Sequence, residues 1–192
     1  MTGSTPTVLF VCTANIVRSP IAAALLTTRL RESGTDAVVE SAGLLDGYRP
    51  IDNGALLALE EHGIDLSPHR SRTLDAAMVR NAALILGLER EHVREAVLLD
   101  RSAWLRAFTL KEIVRRGENI GIRGHDESMD DWIARMHADR THRDLLGADP
   151  IDDISDPYGG APGDYEDAVE EINGLVARLV RLVWPGALKE QL

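Results

Sequence analysis

Residues 8–20 read VLFVCTANIVRSP and join an apolar run to the only cysteine of the chain, Cys12. The apolar run with its β-branched residues predicts a buried strand. Ser19 and Pro20 are typical of a helix start, with the Ser19 hydroxyl as the N-cap and Pro20 at the first helical position. The stretch therefore predicts a strand, a short loop that begins at Cys12, and a helix whose N-terminus faces that cysteine.

Short apolar runs alternate with stretches of helical spacing along the chain, which predicts parallel strands joined by crossover helices. A second helix is predicted over Asp52–His62, capped by Asp52 and ended by Gly63. The clearest helix runs from Tyr165 to Pro185, because its apolar residues keep to one face. The predicted strands are Thr7–Val11, Ala37–Glu40, Ala82–Leu86 and Ala96–Leu99.

About fifty residues separate the last of these strands from Ile151, which is more than one crossover helix requires. Helical patterns lie near Phe108–Arg116 and Ser128–His142. The segment Gly117–Gly124 between them contains three glycines and is predicted to be a loop.

We expect residues 1–192 to form a single domain with a helical elaboration at about residues 101–150. Trp104, Trp132 and the methionines of that segment leave two roles open for it. It either forms a cap or docking surface near the functional site, or adds packing against the sheet.

The composition argues against several classes of partner. A formal net charge of −10 disfavours nucleic acid and anionic membranes, since both attract a positive protein face. One cysteine excludes an intramolecular disulfide. The sequence shows neither a secretory signal pattern nor a run of ~20 apolar residues. We therefore expect a cytoplasmic protein with no nucleic-acid and no membrane partner.

The loop after Cys12 has the residue types of an anion site. If residues 13–17 curl between strand and helix, their backbone N–H groups converge on one point at the positive end of the helix. Those dipoles, with Arg18 and the Ser19 hydroxyl, favour the thiolate form of Cys12 and make it a nucleophile. Arg18 can grip two phosphoryl oxygens through its fork of N–H donors. The loop predicts phosphoryl transfer to sulfur.

The cysteine-to-arginine spacing alone is weak evidence. Two of the 21 basic residues are lysines, which leaves nineteen arginines in 192 residues. The preceding strand, the Ser-Pro helix start and Asn15, which tolerates left-handed backbone angles, strengthen the interpretation. The alternative is a buried Cys12 that packs as a small hydrophobic residue.

A proton donor is predicted at Asp156, within DDISDPYGG at residues 152–160. Pro157 holds Asp156 extended, and the following Tyr-Gly-Gly forms a turn, so the carboxyl projects from an exposed loop. Asp156 would protonate the leaving oxygen and then, as carboxylate, activate water. The alternative is that Asp-Pro simply forms a turn. Three neighbouring acids are predicted to be solvated: Asp149, Asp152 and Asp153.

These features resemble the low-molecular-weight protein tyrosine phosphatase family. The matching pieces, in the family's order, are VLFVCTANIVRSPIA at 8–22, ESAG at 40–43, GIDLSPHRSRTL at 63–74 and DPYGG at 156–160. The resemblance covers most of the chain apart from roughly residues 101–150. It implies an α/β fold with a four-stranded parallel sheet and helices on both faces; we expect the helical insertion before the acid loop.

The resemblance also implies a reaction and its residues. It implies hydrolysis of phosphotyrosine without metal or cofactor, through a cysteinyl-phosphate intermediate. Cys12 takes the nucleophile position, Arg18 the phosphate-gripping position and Asp156 the acid position. The phosphate-binding loop comprises Thr13, Ala14, Asn15, Ile16, Val17 and Ser19.

Further positions follow from the same resemblance. Ser41 and His69, with Asn15 and Ser19, fall where the family has a hydrogen-bond network that shapes the loop. Tyr158 falls where an aromatic ring walls the pocket.

Three positions depart from the family's pattern. Ala14 replaces a usual glycine, which is tolerable if that residue keeps a negative φ. Val17 replaces the second cysteine of many eukaryotic members, so no protective disulfide can form. The loop at residues 44–50 lacks a clear specificity aromatic. Tyr48 is a candidate second pocket wall there, against the alternative of an ordinary exposed tyrosine.

The expected substrate is a phosphotyrosine-containing protein, with inorganic phosphate as product. In bacterial relatives the substrates are often tyrosine kinases linked to polysaccharide export. Two alternatives are an arsenate reductase that uses an external thiol and a non-catalytic phosphate- or phosphotyrosine-binding module. Ala14 is the only residue that favours the non-catalytic binding module.

Overall fold

The computed structural model describes residues 5–146 and 150–187, and its centre is a parallel sheet. The strands are β1 (Thr7–Cys12), β2 (Val38–Gly43), β3 (Leu84–Gly87) and β4 (Ala107–Thr109). They lie in the order β2-β1-β3-β4. β1 is bonded on both edges and packed on both faces, so residues 8–12 are all buried. The predicted four-stranded parallel sheet is confirmed.

Helices cover both faces of this sheet, as predicted. Phe10 on one face of β1 shares a core with Ile21 and Ile172, whereas Leu9 on the other face packs with Val79 and Val93. None of the helices in the described ranges is long and apolar enough to cross a bilayer. The described α-helices are α1 (Arg18–Glu32), α2 (Asn53–Glu60), α3 (Ala76–Asn81), α4 (Arg90–Leu99), α5 (Leu110–Ile120), α6 (Met129–His137), α7 (Arg143–Leu146) and α8 (Pro162–Val183).

The helix ends agree with the predictions in part. The predicted Asp52 cap of α2 is confirmed, since its carboxylate accepts the Gly54 N–H at 2.9 Å. The predicted Ser19 cap of α1 is wrong, because α1 begins at Arg18 with Val17 as an N-cap that makes no side-chain bond. The Ser19 hydroxyl is instead 2.9 Å from Cys12 Sγ, inside the functional loop.

The predicted fourth strand at Ala96–Leu99 is wrong, because these residues form the last turn of α4. A four-residue apolar run fits a helix or a strand equally well. Here only Ala96 is buried, and Leu98 is 76% exposed. The actual β4 has only three residues, too few for a periodic signal.

The predicted loop at Gly117–Gly124 is wrong over its first four residues, which belong to α5. Gly117 is needed within the helix because a Cβ there would lie 2.8 Å from Leu182 Cδ1 of α8. The glycine therefore marks a close approach of two helices and not a turn.

The expected elaboration at about residues 101–150 includes β4 and α5, which belong to the sheet and its helical layer. In α6, Trp132 and Met136 are fully buried in the core that α5 and α8 share. Trp104 is also buried. This burial favours the packing role over a cap or docking surface.

The carboxyl ends of the central strands create the functional crevice. Chain order reverses between β1 and β3, and ligands of open α/β sheets bind at such a point. Cys12 ends β1, and Gly43 ends β2 beside it. A Cβ on Gly43 would lie 2.8 Å from Asn15 N. Glycine at this position therefore allows the loop after Cys12 to pack closely against the end of β2.

Candidate active site

The sulfur of Cys12 lies at the centre of the loop between β1 and α1. It accepts the Asn15 N–H at 3.2 Å and lies 2.9 Å from the Ser19 hydroxyl. Cys12 is 3% exposed and lines a cavity of about 140 Å³. The thiol thus lines a pocket and has polar hydrogen-bond partners, unlike a cysteine that packs as a small hydrophobic residue.

The loop turns its carbonyls outward. The Thr13 carbonyl accepts the Leu44 N–H at 2.8 Å, and the Ile16 carbonyl accepts the Asp52 N–H at 2.9 Å. Backbone N–H groups that face a common centre form an anion site. Within residues 5–146 and 150–187, no acceptor takes the N–H groups of Ala14, Ile16 and Val17.

Asn15 holds the loop in shape through both ends of its side chain. Its amide Nδ2 donates to Ser19 Oγ and Ser41 Oγ, each at 2.9 Å, and its Oδ1 accepts the Arg72 N–H at 2.9 Å. Its backbone carbonyl is 2.7 Å from His69 Nε2. The structure therefore brings the four residues of the expected network together.

These bonds stabilise the left-handed backbone of Asn15, whose φ is +53°. Among the described residues it is the single non-glycine with a positive φ. Ala14 therefore meets the condition under which it is tolerated in place of glycine.

His69 acts in this network as a neutral donor. Burial lowers its pKa, its bond to the Asn15 carbonyl acts in the opposite direction, and the cations Arg72 and Arg70 lower it further. A neutral imidazole with its proton on Nε2 donates to the Asn15 carbonyl.

The Arg18 side chain is buried beside the sulfur, with only 1% of the residue exposed, and is held by acceptors from distant segments. Nη1 pairs with the Glu89 carboxylate and donates to the Ile154 carbonyl at 2.9 Å. Nη2 donates to Asp156 Oδ2 at 2.8 Å and to Thr13 Oγ1 at 3.4 Å. Two carboxylates thus offset the cost of burying this cation.

Glu89 and His92 are site residues that the sequence analysis missed. Glu89 precedes α4, and its N–H donates to His92 Nδ1 at 2.9 Å. The opposite ring atom, His92 Nε2, is 3.1 Å from Thr13 Oγ1. Burial and the nearby Arg18 cation lower the pKa of His92 to about 3, so the ring is neutral and donates to Thr13. The sequence carries one signal for Glu89. It comes shortly after the carboxyl end of β3, at the edge of the sheet where Cys12 ends β1.

Asp156 lies on a loop that is anchored upstream by Asp152. The prediction that Asp152 is solvated is wrong, since it is 5% exposed and binds Arg90 at 3.2 Å and Arg115 at 2.8 Å. Charged N–H donors from two helices replace its hydration. Asp153 accepts the Arg90 N–H at 2.8 Å, and Asp149 lies outside the described residues.

The pocket has mainly apolar walls around the buried sulfur. Tyr158 lines it, as expected, although its side chain is largely exposed. Among the described residues, no group of three or more His, Cys, Asp or Glu side chains is placed to hold a metal ion. The cavity is lined by Cys12, Thr13, Ala14, Ile16, Val17, Arg18, Leu45, Arg49, Asp156 and Tyr158.

The prediction of Tyr48 as a second pocket wall is wrong. Tyr48 is 79% exposed and does not line the cavity, whereas Leu45 and Arg49 do. The turn is set by Gly47, with φ of +144°, and by the buried Ser71. The Ser71 hydroxyl accepts the Arg49 N–H at 2.9 Å and donates to the Gly47 carbonyl at 3.2 Å. These bonds turn Tyr48 outward.

Comparison with known proteins agrees with this geometry. A family model described as low molecular weight phosphotyrosine protein phosphatase matches residues 7–123. A probable low molecular weight protein-tyrosine-phosphatase, EpsP of Ralstonia solanacearum, is 42% identical over 89 residues, which are 46% of this chain and 59% of EpsP. The match thus spans less than two thirds of that curated relative.

Solved structures match over a larger part of the chain. A low molecular weight protein tyrosine phosphatase from T. tengcongensis has a TM-score of 0.69 at 28% identity, covering 92% of this chain and 99% of that one. The YwlE arginine phosphatase from Geobacillus stearothermophilus has a TM-score of 0.67 at 28% identity, covering 92% and 91%.

Proposed function

Since this chain belongs to the low molecular weight phosphotyrosine protein phosphatase family, we propose that it hydrolyses phosphotyrosine in proteins, with Cys12 as nucleophile. One observation carries the proposal. Cys12, Arg18 and Asp156, which lie up to 144 positions apart in sequence, line one small cavity together with loop residues whose backbone N–H groups have no acceptor among the described residues.

In the first step, the Cys12 thiolate attacks phosphorus, and the bond from phosphorus to the tyrosine oxygen breaks. The N–H groups of the loop and the Arg18 fork hold the phosphoryl oxygens. When the phosphoryl group displaces it from Arg18, the Asp156 carboxylate takes up a proton from solvent, and it then gives that proton to the leaving phenolate oxygen. Hydrogen bonds from Asn15 N–H and Ser19 Oγ stabilise the attacking sulfur anion.

In the second step, the Asp156 carboxylate takes a proton from water while the water oxygen attacks the phosphocysteine. The phosphorus–sulfur bond breaks, inorganic phosphate forms, and the thiolate returns. The reaction uses no redox partner, so one cysteine is sufficient.

The neighbour named an arginine phosphatase makes phosphoarginine the competing substrate. The walls favour an aryl group, because Ile16, Val17, Leu45 and Tyr158 are apolar or aromatic. Among the described lining residues, Asp156 is the single carboxylate, and it is paired with Arg18. The guanidinium of a phosphoarginine substrate would therefore have no further carboxylate to pair with among the described lining residues.

Arsenate reduction and phosphate binding without turnover have less support. Arsenate reduction by a relay of thiols within the chain needs further cysteines, and the chain has one. The version that uses an external thiol is supported by no feature of the described residues. A binding module without turnover does not need an acid beside the sulfur, yet Asp156 lines the same cavity. A lone unpaired cysteine also suits the reducing cytoplasm, where we place the substrates.

The test is metal-free hydrolysis of aryl phosphates by the purified protein in the presence of a chelator. We expect Cys12→Ser to abolish turnover. Asp156→Ala should lower kcat by about 10²–10³-fold for phenyl phosphate and less for p-nitrophenyl phosphate, whose leaving group needs little protonation. Turnover that survives Cys12→Ser, or faster hydrolysis of phosphoarginine than of phosphotyrosine, would contradict the proposal.

A further inference from the structure

Arg49 is a cation on the pocket wall whose guanidinium has no partner in the part of the chain that the structure describes. It lines the cavity beside Leu45 and Tyr158. Its guanidinium makes no hydrogen bond or ion pair with any residue in 5–146 or 150–187, and its Nε is buried without an acceptor. Buried polar groups normally have hydrogen-bond partners, so this one points to an anion that the free protein does not supply.

The backbone holds Arg49 at this position. The buried Ser71 donates its N–H to the Arg49 carbonyl at 2.8 Å, and its hydroxyl accepts the Arg49 N–H at 2.9 Å. The Arg49 side chain lies over Gly47, where an added Cβ would be 3.5 Å from Arg49 Cγ. The cation is therefore pre-organised at the cavity.

The two acids closest to Arg49 in sequence and the one acid that lines the cavity among the described residues are engaged elsewhere. The Asp46 carboxylate is 3.3 Å from Thr73 Oγ1, and the Asp52 carboxylate caps α2. Asp156 is bonded to Arg18. Arg49 thus remains a free positive charge at the pocket of a protein whose net charge is −10.

Resting on the function proposed above, we infer that Arg49 selects phosphotyrosine sites that carry an acidic residue next to the phosphotyrosine. The tyrosine ring enters the cavity, and a neighbouring carboxylate pairs with the guanidinium. Arginine suits this role because its planar fork binds both carboxylate oxygens. An acidic flank would otherwise be disfavoured by the negative charge of the protein.

The test compares two phosphotyrosine peptides of equal length, one with glutamate and one with glutamine on both sides of the phosphotyrosine. We expect kcat/KM to be about 3- to 5-fold higher for the glutamate peptide at low salt, in the range of a partly exposed ion pair. The preference should shrink as salt rises from about 20 mM to about 200 mM.

Substitutions identify the residue responsible. Arg49→Gln should bring the ratio of the two kcat/KM values to about one, and Arg49→Glu should bring it below one. Arg70→Gln is the matched control. Among the described residues, its guanidinium donates to the backbone carbonyls of Ser67 and His69 alone, and Arg70 does not line the cavity. Its loss should therefore leave the ratio of the two kcat/KM values unchanged.

A binding measurement separates this inference from the proposed reaction. Fluorescence polarisation of both peptides with Cys12→Ser protein reports recognition without turnover, and p-nitrophenyl phosphate hydrolysis reports turnover without peptide. If the wild-type protein does not hydrolyse p-nitrophenyl phosphate but Cys12→Ser protein still binds the glutamate peptide more tightly, the proposed reaction is wrong and the role of Arg49 stands. Equal affinity for both peptides, or a preference that survives Arg49→Gln, would overturn the role of Arg49.

Discussion

At the scale of single residues, the charge balance around Arg18 bears on the proposed binding of a phosphoryl group. The buried guanidinium already pairs with Glu89 and Asp156. In the proposed reaction, an incoming phosphoryl group would take the place of Asp156 on Nη2, whereas Glu89 and the Ile154 carbonyl keep the other nitrogen. The same displacement would free Asp156 to act on the leaving oxygen, so substrate binding and placement of the acid would be one event.

His92 should make the stability of the protein pH-dependent. Its pKa in the folded chain is about 3, below the ordinary value of 6.5, because burial and then Arg18 disfavour the charged ring. The unfolded state therefore binds a proton below pH 6.5 that the folded state does not. We expect this residue to cost about 2 kcal/mol of unfolding free energy between pH 6.5 and pH 5. Urea unfolding of wild-type and His92→Gln proteins at several pH values measures the difference.

Two substitutions of His92 separate its contacts. Gln keeps a donor toward Thr13, whereas Asn keeps an acceptor for the Glu89 N–H. If the Thr13 contact orients the loop, KM for an aryl phosphate should rise more in His92→Asn than in His92→Gln. Equal pH slopes in wild-type and His92→Gln proteins would contradict the assigned protonation state.

At the scale of elements, the surroundings of a helical glycine decide what an added side chain would do. A Cβ on Gly117 of α5 would lie 2.8 Å from Leu182 of α8, whereas a Cβ on Gly174 of α8 would meet nothing within 4 Å. Both residues lie inside helices. Their different surroundings predict opposite effects of the same substitution.

We expect Gly117→Ala to lower the unfolding free energy by about 1–3 kcal/mol through overpacking. Gly174→Ala should raise it by about 0.4–1 kcal/mol, since alanine restricts the unfolded chain and fits the helix. Urea unfolding followed by circular dichroism measures both. Destabilisation by Gly174→Ala, or none by Gly117→Ala, would contradict the described contact of α5 and α8.

At the scale of the whole molecule, the segment after β4 is tied to the sheet by buried aromatic contacts. The Arg140 guanidinium lies 3.8 Å from the Trp104 ring centroid and 4.0 Å from that of Phe108, and its Nε is 2.8 Å from Glu112. Burial lowers the pKa of Arg140 to about 10, which still leaves it charged near pH 7. Trp132 adds a fully buried indole to the main core.

Trp132→Ala should therefore destabilise the entire fold. We expect a loss of about 3–5 kcal/mol, as for large-to-small changes of a buried aromatic residue. The exposed neighbour Ala134 provides the control, and Ala134→Gln should change stability little. Chemical unfolding measures the loss, and kcat per folded molecule should stay near wild type. A large drop in kcat with unchanged stability would instead assign this segment to the site.

Features with a local cause can be predicted from the amino-acid sequence of this protein. The apolar run of β1, the Asp52 cap and the left-handed Asn15 follow from residue type and short spacing. Cys12, Arg18 and Asp156 could be named as candidate site residues because each lies in a short local motif.

Tertiary structure alone decided which distant groups meet. The Thr13–His92 contact joins residues 79 positions apart, and Arg18–Asp156 joins residues 138 apart. The three-residue β4 exists because β3 offers it an edge, and Arg49 faces the pocket because Ser71 binds its turn. Hydrogen bonds and burial across such separations depend on how the layers pack, and no local pattern of residues encodes that.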